Sequence, residues 1–495
     1  MSAQTVAGHG NWKRPSDPGM FGLGQTGTWV VGGGLLFALL LTGTAGPLPG
    51  VVVGGVIVVG VRLAAIRDKH GLSFLDRRKE KLLWRSAQAS GQTMYRSGPL
   101  GRAKWGSYQL PGIAAGTALS EWYDAYERPF AMLHVRATGD VVAVLTSEPE
   151  GDSLVDGDQL DNWVAHWGDW LAHLSEIDGV QCGQIVIETS PDTSARLAHY
   201  LRSRISATAS PFSQQVVGEV IESYPTSSSR VRGWAAVTFS MTRAGKKRPI
   251  EEMARVLAAQ LPELCTSLEA CGAGAVAPAT AAELCEMVRT SYDPAAAVLF
   301  DKAAVDGHPV DLTWPNVGPS AADASWSEYR HDSGRSKSWT MSVAPRGIVQ
   351  SSVLARLLAP HPDIARKRIS LFYHAFDPAT AAGLVDSDYK LAHSAAASAQ
   401  SANARAAREL RAAEQTSHEE ATGAALLSFG IAMTATVMGD SDIDLAEAAM
   451  SNLSASSRLM IREAYGAQAS TFAATLPLGL NLPRFVSLKQ TAAKK

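Results

Sequence analysis

Three short motifs in this sequence hold side chains that could do chemistry. Residues 22–27 fit the GxGxxG pattern of pyrophosphate-binding loops, residues 418–422 begin like the zinc-binding HExxH motif, and His331-Asp332-Ser333 contains the three residue types of a hydrolase triad. Each lacks something that its chemistry needs. The glycine run opens an apolar segment instead of following a strand, Thr422 replaces the second histidine, and neighbours on an extended segment point to alternate faces.

The sequence also lacks a phosphate-binding loop for ATP. The Gly245-Lys246 pair has Ser240 where the first glycine of GxxxxGK[ST] belongs, and Lys247 where the hydroxyl residue belongs. We therefore predict no catalytic, cofactor-binding or metal-binding residues, and a protein that is not an enzyme.

Composition narrows the class of protein further. The 495 residues carry 45 basic and 47 acidic side chains, a net charge of -2, which argues against a surface built throughout for phosphate backbones. The four cysteines have no CxxC spacing, and we interpret them as buried thiols in a reducing compartment.

Two consecutive apolar runs, residues 27–46 and 48–66, contain Arg62 as their single charged residue. Each run is about twenty residues long, the length that crosses a bilayer as a helix. Gly46-Pro47-Leu48-Pro49-Gly50 breaks the helix between them, so the sequence predicts a transmembrane helical hairpin. Glycines let such helices approach closely, and we assign the helix packing to Gly33, Gly50 and Gly54.

Basic residues flank this hairpin on both sides. Lys13 and Arg14 precede it, and a basic run at 77–85 follows it. By the positive-inside rule both termini are expected in the cytoplasm, with the protein in the inner (plasma) membrane and the basic run beside anionic membrane lipid.

Beyond residue 110, short apolar runs alternate with amphipathic helical stretches. The runs at 129–134 and 141–145 flank Thr138-Gly139-Asp140 and predict a β-hairpin, which a tryptophan-rich helix at 156–177 and a strand at 184–188 follow. The expected fold is thus an α+β cytoplasmic region of two lobes, with antiparallel or mixed sheets and a long alanine-rich helix at 378–422. The lobes could be distant structural repeats, but no fixed period proves it.

These patterns divide the chain into seven segments. In order they are a cytoplasmic N-terminal segment, the transmembrane hairpin, a basic juxtamembrane segment, a first α+β lobe, a helical connector, a second α+β lobe with the long helix, and a flexible tail, with bounds 1–26, 27–66, 67–110, 111–245, 246–325, 326–480 and 481–495.

The densest mixture of charged and aromatic residues lies between positions 329 and 368. Arginine and aromatic side chains carry much of the binding energy at interfaces, so this segment is a candidate surface for docking protein or DNA. An ordinary solvated face explains the mixture nearly as well. The candidate docking residues are Arg330, His331, Arg335, Lys337, Trp339, Arg346, Arg366, Lys367 and Arg368.

Several local sequences resemble a family of actinobacterial integral membrane proteins of conjugative, type IV secretion-like elements. The resemblance rests on Phe21-Gly22-Leu23-Gly24, Tyr95-Arg96-Ser97-Gly98-Pro99, Arg128-Pro129-Phe130, Tyr329-Arg330-His331-Asp332-Ser333-Gly334 and the run from 344 to 362. The stretch from Tyr465-Gly466-Ala467-Gln468 to 479 resembles the end of the N-terminal domain of CagE/TrbE-type conjugation ATPases. The N-terminal part is similar to a TrbD-like membrane hairpin.

The resemblance implies a scaffold rather than a motor. We expect a non-enzymatic inner-membrane subunit of a conjugation or type IV secretion-like apparatus that anchors and positions a separate TrbE-like ATPase, with other membrane subunits as partners and an oligomeric state. Nucleic acid is a further possible partner. The alternatives are an EccE-like membrane subunit of a type VII secretion machine and a membrane-tethered enzyme acting on envelope precursors.

Overall fold

The secondary structure was obtained from a computed structural model. The residues it describes are 10, 12, 24–65, 67–98, 101, 107–149, 151, 155–192, 195–206, 208–223, 229–243, 245–308, 310–345, 347, 349–398, 404–439 and 441–485.

Helices and strands alternate along most of the chain. The helices are α1 Gly24–Ala45, α2 Pro47–Ala65, α3 Phe74–Ala89, α4 Gly157–Glu176, α5 Ala195–Arg204, α6 Pro211–Ser223, α7 Ile250–Glu269, α8 Ala281–Tyr292, α9 Ala296–Val305, α10 Ala355–Leu358, α11 Pro378–Ser398, α12 Ala404–Ala421, α13 Ile443–Ser456 and α14 Gln468–Ala474. The strands are β1 Met94–Arg96, β2 Thr117–Tyr123, β3 Pro129–Val135, β4 Asp140–Glu148, β5 Val180–Pro191, β6 Ser229–Ser240, β7 Thr242–Arg243, β8 Lys246–Lys247, β9 Ala275–Pro278, β10 Ala321–Ala324, β11 Tyr329–His331, β12 Gly334–Val343, β13 Arg366–Ala375, β14 Leu427–Met438 and β15 Met460–Glu463.

An antiparallel sheet of 13 strands organises the part of the chain that the structure describes, and β7 pairs with β8 in a separate two-stranded sheet. The order of the 13-stranded sheet is β1-β10-β11-β12-β14-β13-β5-β6-β4-β3-β2, with β15 added to β12 and β9 added to β4. The fold is therefore α+β with one large antiparallel sheet. The two lobes expected from the sequence share this sheet, because β5 of the first pairs directly with β13 of the second.

Strand alternation explains the apolar sequence of β4. Val142 and Val144 belong to a core cluster on one face of the sheet, whereas Val141 and Ala143 belong to a cluster on the other. Since successive side chains on a strand point to opposite faces, a continuous apolar run indicates a strand covered on both faces. Helices α8 and α14 cover the first face. On the second face, α4 and α7 cover one part, and α10 and α13 cover another part.

The strand order repeats within the sheet. From one edge it runs β2-β3-β4-β6-β5, and from the opposite side it runs β10-β11-β12-β14-β13. Strand β9 pairs with β4 as β15 pairs with β12. Each half also places a helix after its last large strand, α7 after β6 and α13 after β14. The two halves are thus structural repeats that lack a visible sequence period.

The pairing registers of the two repeats also correspond. Leu145 lies between Ala235 and Pro278, and Trp339 lies between Met433 and Glu463. The same correspondence relates Val186, which pairs with Trp234, to Ser370, which pairs with Ala432. Val186 and Ser370 pair with each other. Pairing of equivalent residues on antiparallel strands places a local two-fold axis between β5 and β13.

The helical hairpin expected at 27–66 forms as α1 and α2, joined by Gly46 at a φ of +93°. Among the described residues, however, no helix has the length and apolar character needed to cross a membrane. This finding contradicts the membrane-spanning hairpin of the predicted fold class.

The three glycines assigned to helix packing differ in how closely other atoms surround them. A Cβ on Gly50 would lie 2.0 Å from Thr42 Cγ2 and 2.7 Å from the carbonyl oxygen of Ala38, so α1 and α2 touch closely there. A Cβ on Gly33 or Gly54 would meet nothing within 4 Å. Close packing therefore rests on Gly50 among the three predicted positions.

Gln184 on β5 ties the centre of the sheet to the segment after α14. Its side-chain Nε2 donates to Ser370 Oγ (2.7 Å) and to the carbonyl oxygens of Ala474 and Leu476, and its Oε1 accepts from the Gly479 amide (2.9 Å). Gln184 is buried, so without its side chain no water would supply hydrogen bonds to these partner groups.

Replacing this side chain tests the importance of the central contact. Because an unsatisfied buried polar group costs about 1–3 kcal/mol, we expect Gln184→Leu to lower the free energy of unfolding by at least ~3 kcal/mol in urea denaturation. Gln415→Leu, at an exposed position on α12, is the matched control and should change it by less than ~0.5 kcal/mol. Equal losses of unfolding free energy in the two variants would contradict the importance of the Gln184 hydrogen bonds.

Candidate partner-binding groove

A groove of about 500 Å³ lies between α3, with the loop before it, and the second repeat. Lys69, His70 and Lys81 line one wall, and Glu463 and Tyr465 line the other. The groove therefore brings a basic segment of the chain against the last strand of the sheet.

The loop at 67–73 is held in shape by Asp68. Its Oδ1 accepts from the amides of His70 (2.9 Å) and Leu72 (3.0 Å). Burial alone would raise the pKa of Asp68, but these hydrogen bonds outweigh it and the pKa is lowered. His70 Nδ1 lies 3.0 Å from Ser342 Oγ, which anchors the loop to β12.

Helix α3 begins with a capping box, in which the side chain of Ser73 accepts from the Asp76 amide and the Asp76 carboxylate accepts from the Ser73 amide. Further along, Arg462 of β15 donates two hydrogen bonds to the Glu80 carboxylate, at 3.0 and 2.6 Å. A planar guanidinium bound through both nitrogens fixes orientation as well as distance. The pair thus clamps α3 onto the sheet.

Aromatic rings close one end of the groove. Trp84 of α3 meets Trp326 edge to face at 5.9 Å between ring centroids, and Trp326 stacks on Tyr465 at 5.7 Å. Gly466 makes this arrangement possible. Its φ is +68°, its amide donates to the Trp326 carbonyl, and a Cβ there would lie 2.8 Å from the Trp326 ring.

Two carboxylates that line the groove are paired with neighbouring side chains. Glu447 pairs with Lys337 Nζ, and Asp444 lies 3.5 Å from the same nitrogen. Burial lowers the pKa of Lys337, but its hydrogen bond to Glu447 more than offsets this, and the pKa is raised. Burial, with the nearby Glu447 charge, raises the pKa of Glu463, which accepts from the Tyr465 hydroxyl at 3.0 Å.

Two neighbouring carboxylic acids are the residue types of an acid–base pair. Here Glu447 and Glu463 already hold Lys337 and the Tyr465 hydroxyl, so we interpret them as part of the wall. Alternating charges of both signs beside stacked aromatic rings suit the docking of a protein segment. Among the described residues, no three His, Cys, Asp or Glu side chains are grouped to hold a metal ion.

The nine predicted docking residues do not form one surface. Trp339 lines the groove, and Lys337 pairs with Glu447, which also lines it. Arg330 is exposed on β11, opposite Arg335 of β12, which binds the Glu328 carboxylate at 2.6 and 3.1 Å. Arg346 lies outside the described residues.

The predicted basic cluster of β13 is buried, which removes it from a docking surface on the folded chain. Arg366 donates to Glu188 at 2.8 Å, and Arg368 lies 3.5 Å from the same carboxylate and 4.7 Å above the Phe472 ring. Burial lowers the pKa of Arg368 to about 10. Lys367 lies nearly fully buried, where burial lowers its pKa to about 8, and donates to the Ala359 carbonyl. The sequence analysis predicted these side chains at the surface because lysine and arginine are rarely buried.

His331 is also buried, and it does not join a catalytic triad. Its Nδ1 lies 2.6 Å from the Tyr292 carbonyl oxygen and its Nε2 lies 2.7 Å from Ser336 Oγ. Ser333 instead donates to the Asp293 carboxylate at 2.5 Å. These contacts make His331 a structural residue of the core.

Sequence reasoning missed Glu80, Trp326, Arg462 and Tyr465 as parts of one groove. Glu80 and Arg462 are 382 positions apart in the chain, so no local pattern connects them. The signal that could have drawn attention was the Tyr465-Gly466 pair, because a glycine after an aromatic residue often marks a turn with positive φ.

A family model described as a domain of unknown function, DUF8461, matches residues 16–76 of the chain. The match takes in α1, α2 and the loop before α3, and ends three residues into α3. No curated protein matches the chain.

Acid should destabilise the protein through His331. Burial lowers its pKa to about 4, whereas an unfolded histidine titrates near ~6.5. The unfolded chain therefore binds a proton first, so the stabilising contribution is complete above pH ~6.5 and declines as the pH falls towards 4. We expect the free energy of unfolding, measured in urea, to fall by about 3 kcal/mol over this interval. In His331→Asn the free energy of unfolding should depend less on pH. Exposed His308→Asn should keep the wild-type pH dependence; a steep pH dependence in His331→Asn would contradict this.

Breaking the α3 clamp should free the helix without unfolding the sheet. Arg462→Ala should speed tryptic cleavage within residues 77–81 at least fivefold, because Glu80 loses both hydrogen bonds. The charge swap Arg462→Glu with Glu80→Arg should restore slow cleavage. Arg243→Ala removes an exposed ion pair with Asp178 and serves as the control. No acceleration with Arg462→Ala would argue against a clamp.

Proposed function

We propose that this protein is a non-enzymatic scaffold subunit of a conjugation or type IV secretion-like apparatus that positions a separate ATPase. The observation that supports it most is the groove, which combines aromatic rings, an arginine clamp and exposed lysines at a single site. Such a combination favours a protein partner over a small-molecule substrate.

The position of the groove supports an ATPase as the partner. Tyr465 lines one end of the groove, and it begins the segment Tyr465-Gly466-Ala467-Gln468, which resembles the end of the N-terminal domain of CagE/TrbE-type ATPases. In those ATPases a nucleotide-binding domain follows this segment. A scaffold that presents the same segment would meet a motor domain supplied by another chain.

An EccE-like role in a type VII machine is the alternative for a scaffold of this kind. The neighbouring genes discriminate between the two: a TrbE-like ATPase and a small PrgI-like protein favour the first, and an FtsK-type ATPase with small WxG-type substrates favours the second. The inner-membrane location, and lipid or nucleic acid as partners, stay predictions from the sequence.

The docking proposal can be tested by co-purification with the ATPase encoded beside this protein. Lys81 is exposed at the groove, whereas Lys79 is exposed on the same helix but does not line it. We expect Lys81→Glu to weaken the complex at least tenfold, measured by biolayer interferometry, and Lys79→Glu to weaken it less than twofold.

Two results would reject this assignment. One is the failure of the full-length protein to bind the ATPase at all. The other is an equal effect of Lys79→Glu and Lys81→Glu, which would show that overall charge, and not the groove, governs binding.

A further inference from the structure

The outer edges of the two repeats differ in whether an added strand covers them. In the second repeat, β1 covers the edge strand β10: Tyr95 pairs with Ala322, the Ala324 amide donates to the Thr93 carbonyl, and the Ser97 amide donates to the Ser320 carbonyl. Strand β1 precedes both repeats in the chain, so it is an added strand and not part of the repeated unit.

The position equivalent to β10 in the first repeat is β2. Successive pairings lead from Thr117 through Val135 and Asp140 to Ser240, and in the same way from Ala322 through His331 and Gly334 to Met438. Ser240 and Met438 correspond under the register of the two repeats. Thr117 is therefore the counterpart of Ala322, the residue that pairs with Tyr95.

Two hydrogen bonds show which backbone groups of β2 face outwards. The Arg136 amide donates to the Gly116 carbonyl, and the Asp124 amide donates to the Arg128 carbonyl. Since antiparallel partners exchange hydrogen bonds at every second residue, the even-numbered positions of β2 bond to β3. The amides and carbonyls that point away from β3 belong to Thr117, Leu119, Glu121 and Tyr123.

Within the described part of the chain, no strand pairs with this outer edge of β2. Exposed edges are usually blocked by lysine, proline or a bulge. The β2 sequence has no lysine or proline, and its Glu121 carboxylate is engaged at the start of α8, where it accepts from the Ala281 amide. Tyr123 and Tyr126 are 67% and 71% exposed at the end of this edge.

We propose that the outer edge of β2 binds an extended segment of a partner protein as an added antiparallel strand, as β1 binds β10. The equivalence to β1 indicates the chemistry of that segment. Tyr95 packs against the core cluster, and its hydroxyl donates to the Gln109 carbonyl, whereas Met94 and Arg96 face solvent. The partner strand thus carries an aromatic residue flanked by two residues whose side chains face solvent, and its main chain supplies most of the affinity. The proposal does not depend on the groove.

A peptide with the sequence of residues 89–98 is a suitable probe, offered in trans to the full chain. We expect saturable binding by fluorescence anisotropy, with slower hydrogen exchange at the amides of Leu119 and Glu121. Leu119→Pro removes an outward amide and should weaken binding at least tenfold. Leu119→Ala removes the same side chain but keeps the amide, so it should weaken binding less than threefold.

Tyr123→Pro and Tyr123→Ala form a second matched pair at an exposed side chain, in case Leu119→Pro disturbs the core. Three results would overturn the proposal. They are unchanged exchange at β2 in the presence of peptide, equal effects of proline and alanine at both positions, and a self-associated protein whose β2 amides are already protected without peptide, which would make a second copy the occupant.

Discussion

The pairing of β5 with β13 joins the two repeats and places three charged side chains where water cannot reach them. Glu188 lies between Arg366 and Arg368, and Phe472 covers the second guanidinium. Removing one member of such a group leaves a buried charge without compensation, which costs about 3–5 kcal/mol. Separation of the repeats would therefore require several charged groups to be exposed together, and this favours a single cooperative sheet.

The groove arises where the two repeats differ. In the first repeat, β9 ends at Pro278 and α8 begins at Ala281; in the second, β15 ends at Glu463 and α14 begins at Gln468. The longer connection contains Tyr465 and Gly466, and it brings the tyrosine ring against Trp326. The two repeats share one framework, and the longer connection of the second repeat forms part of the groove.

Periodicity predicted the large strands and helices well. The predicted hairpin at 129–134 and 141–145 agrees with β3 and β4, and the helix predicted at 156–177 agrees with α4, because buried faces impose a regular pattern. The strands near the two ends of the sheet, β1, β2, β10 and β11, were missed, since each is partly exposed and three of them have only three or four residues. The long alanine-rich helix is two helices, α11 and α12, that pack against each other. Alanine favours helix everywhere and gives no signal for where such a run ends.

The site was harder to predict than the fold. Lys337 and Trp339 were identified from local composition, but their partners come from residues 67–84 and 447–466. The buried Arg366 and Arg368 looked like surface residues because nothing local shows that Glu188 will face them. Composition indicates which residue types are present, and tertiary pairing decides whether they face a partner or the core.

The order of synthesis gives Glu188 a second consequence. Strand β13 leaves the ribosome about 180 residues after β5, so for roughly 10–35 seconds of translation β5 is the terminal strand of an incomplete sheet. A carboxylate on that strand disfavours pairing with a neighbouring nascent chain, since it would be buried without a cation. The arginines of β13 relieve this penalty when they arrive, so the same charge that discourages premature association selects the correct partner strand.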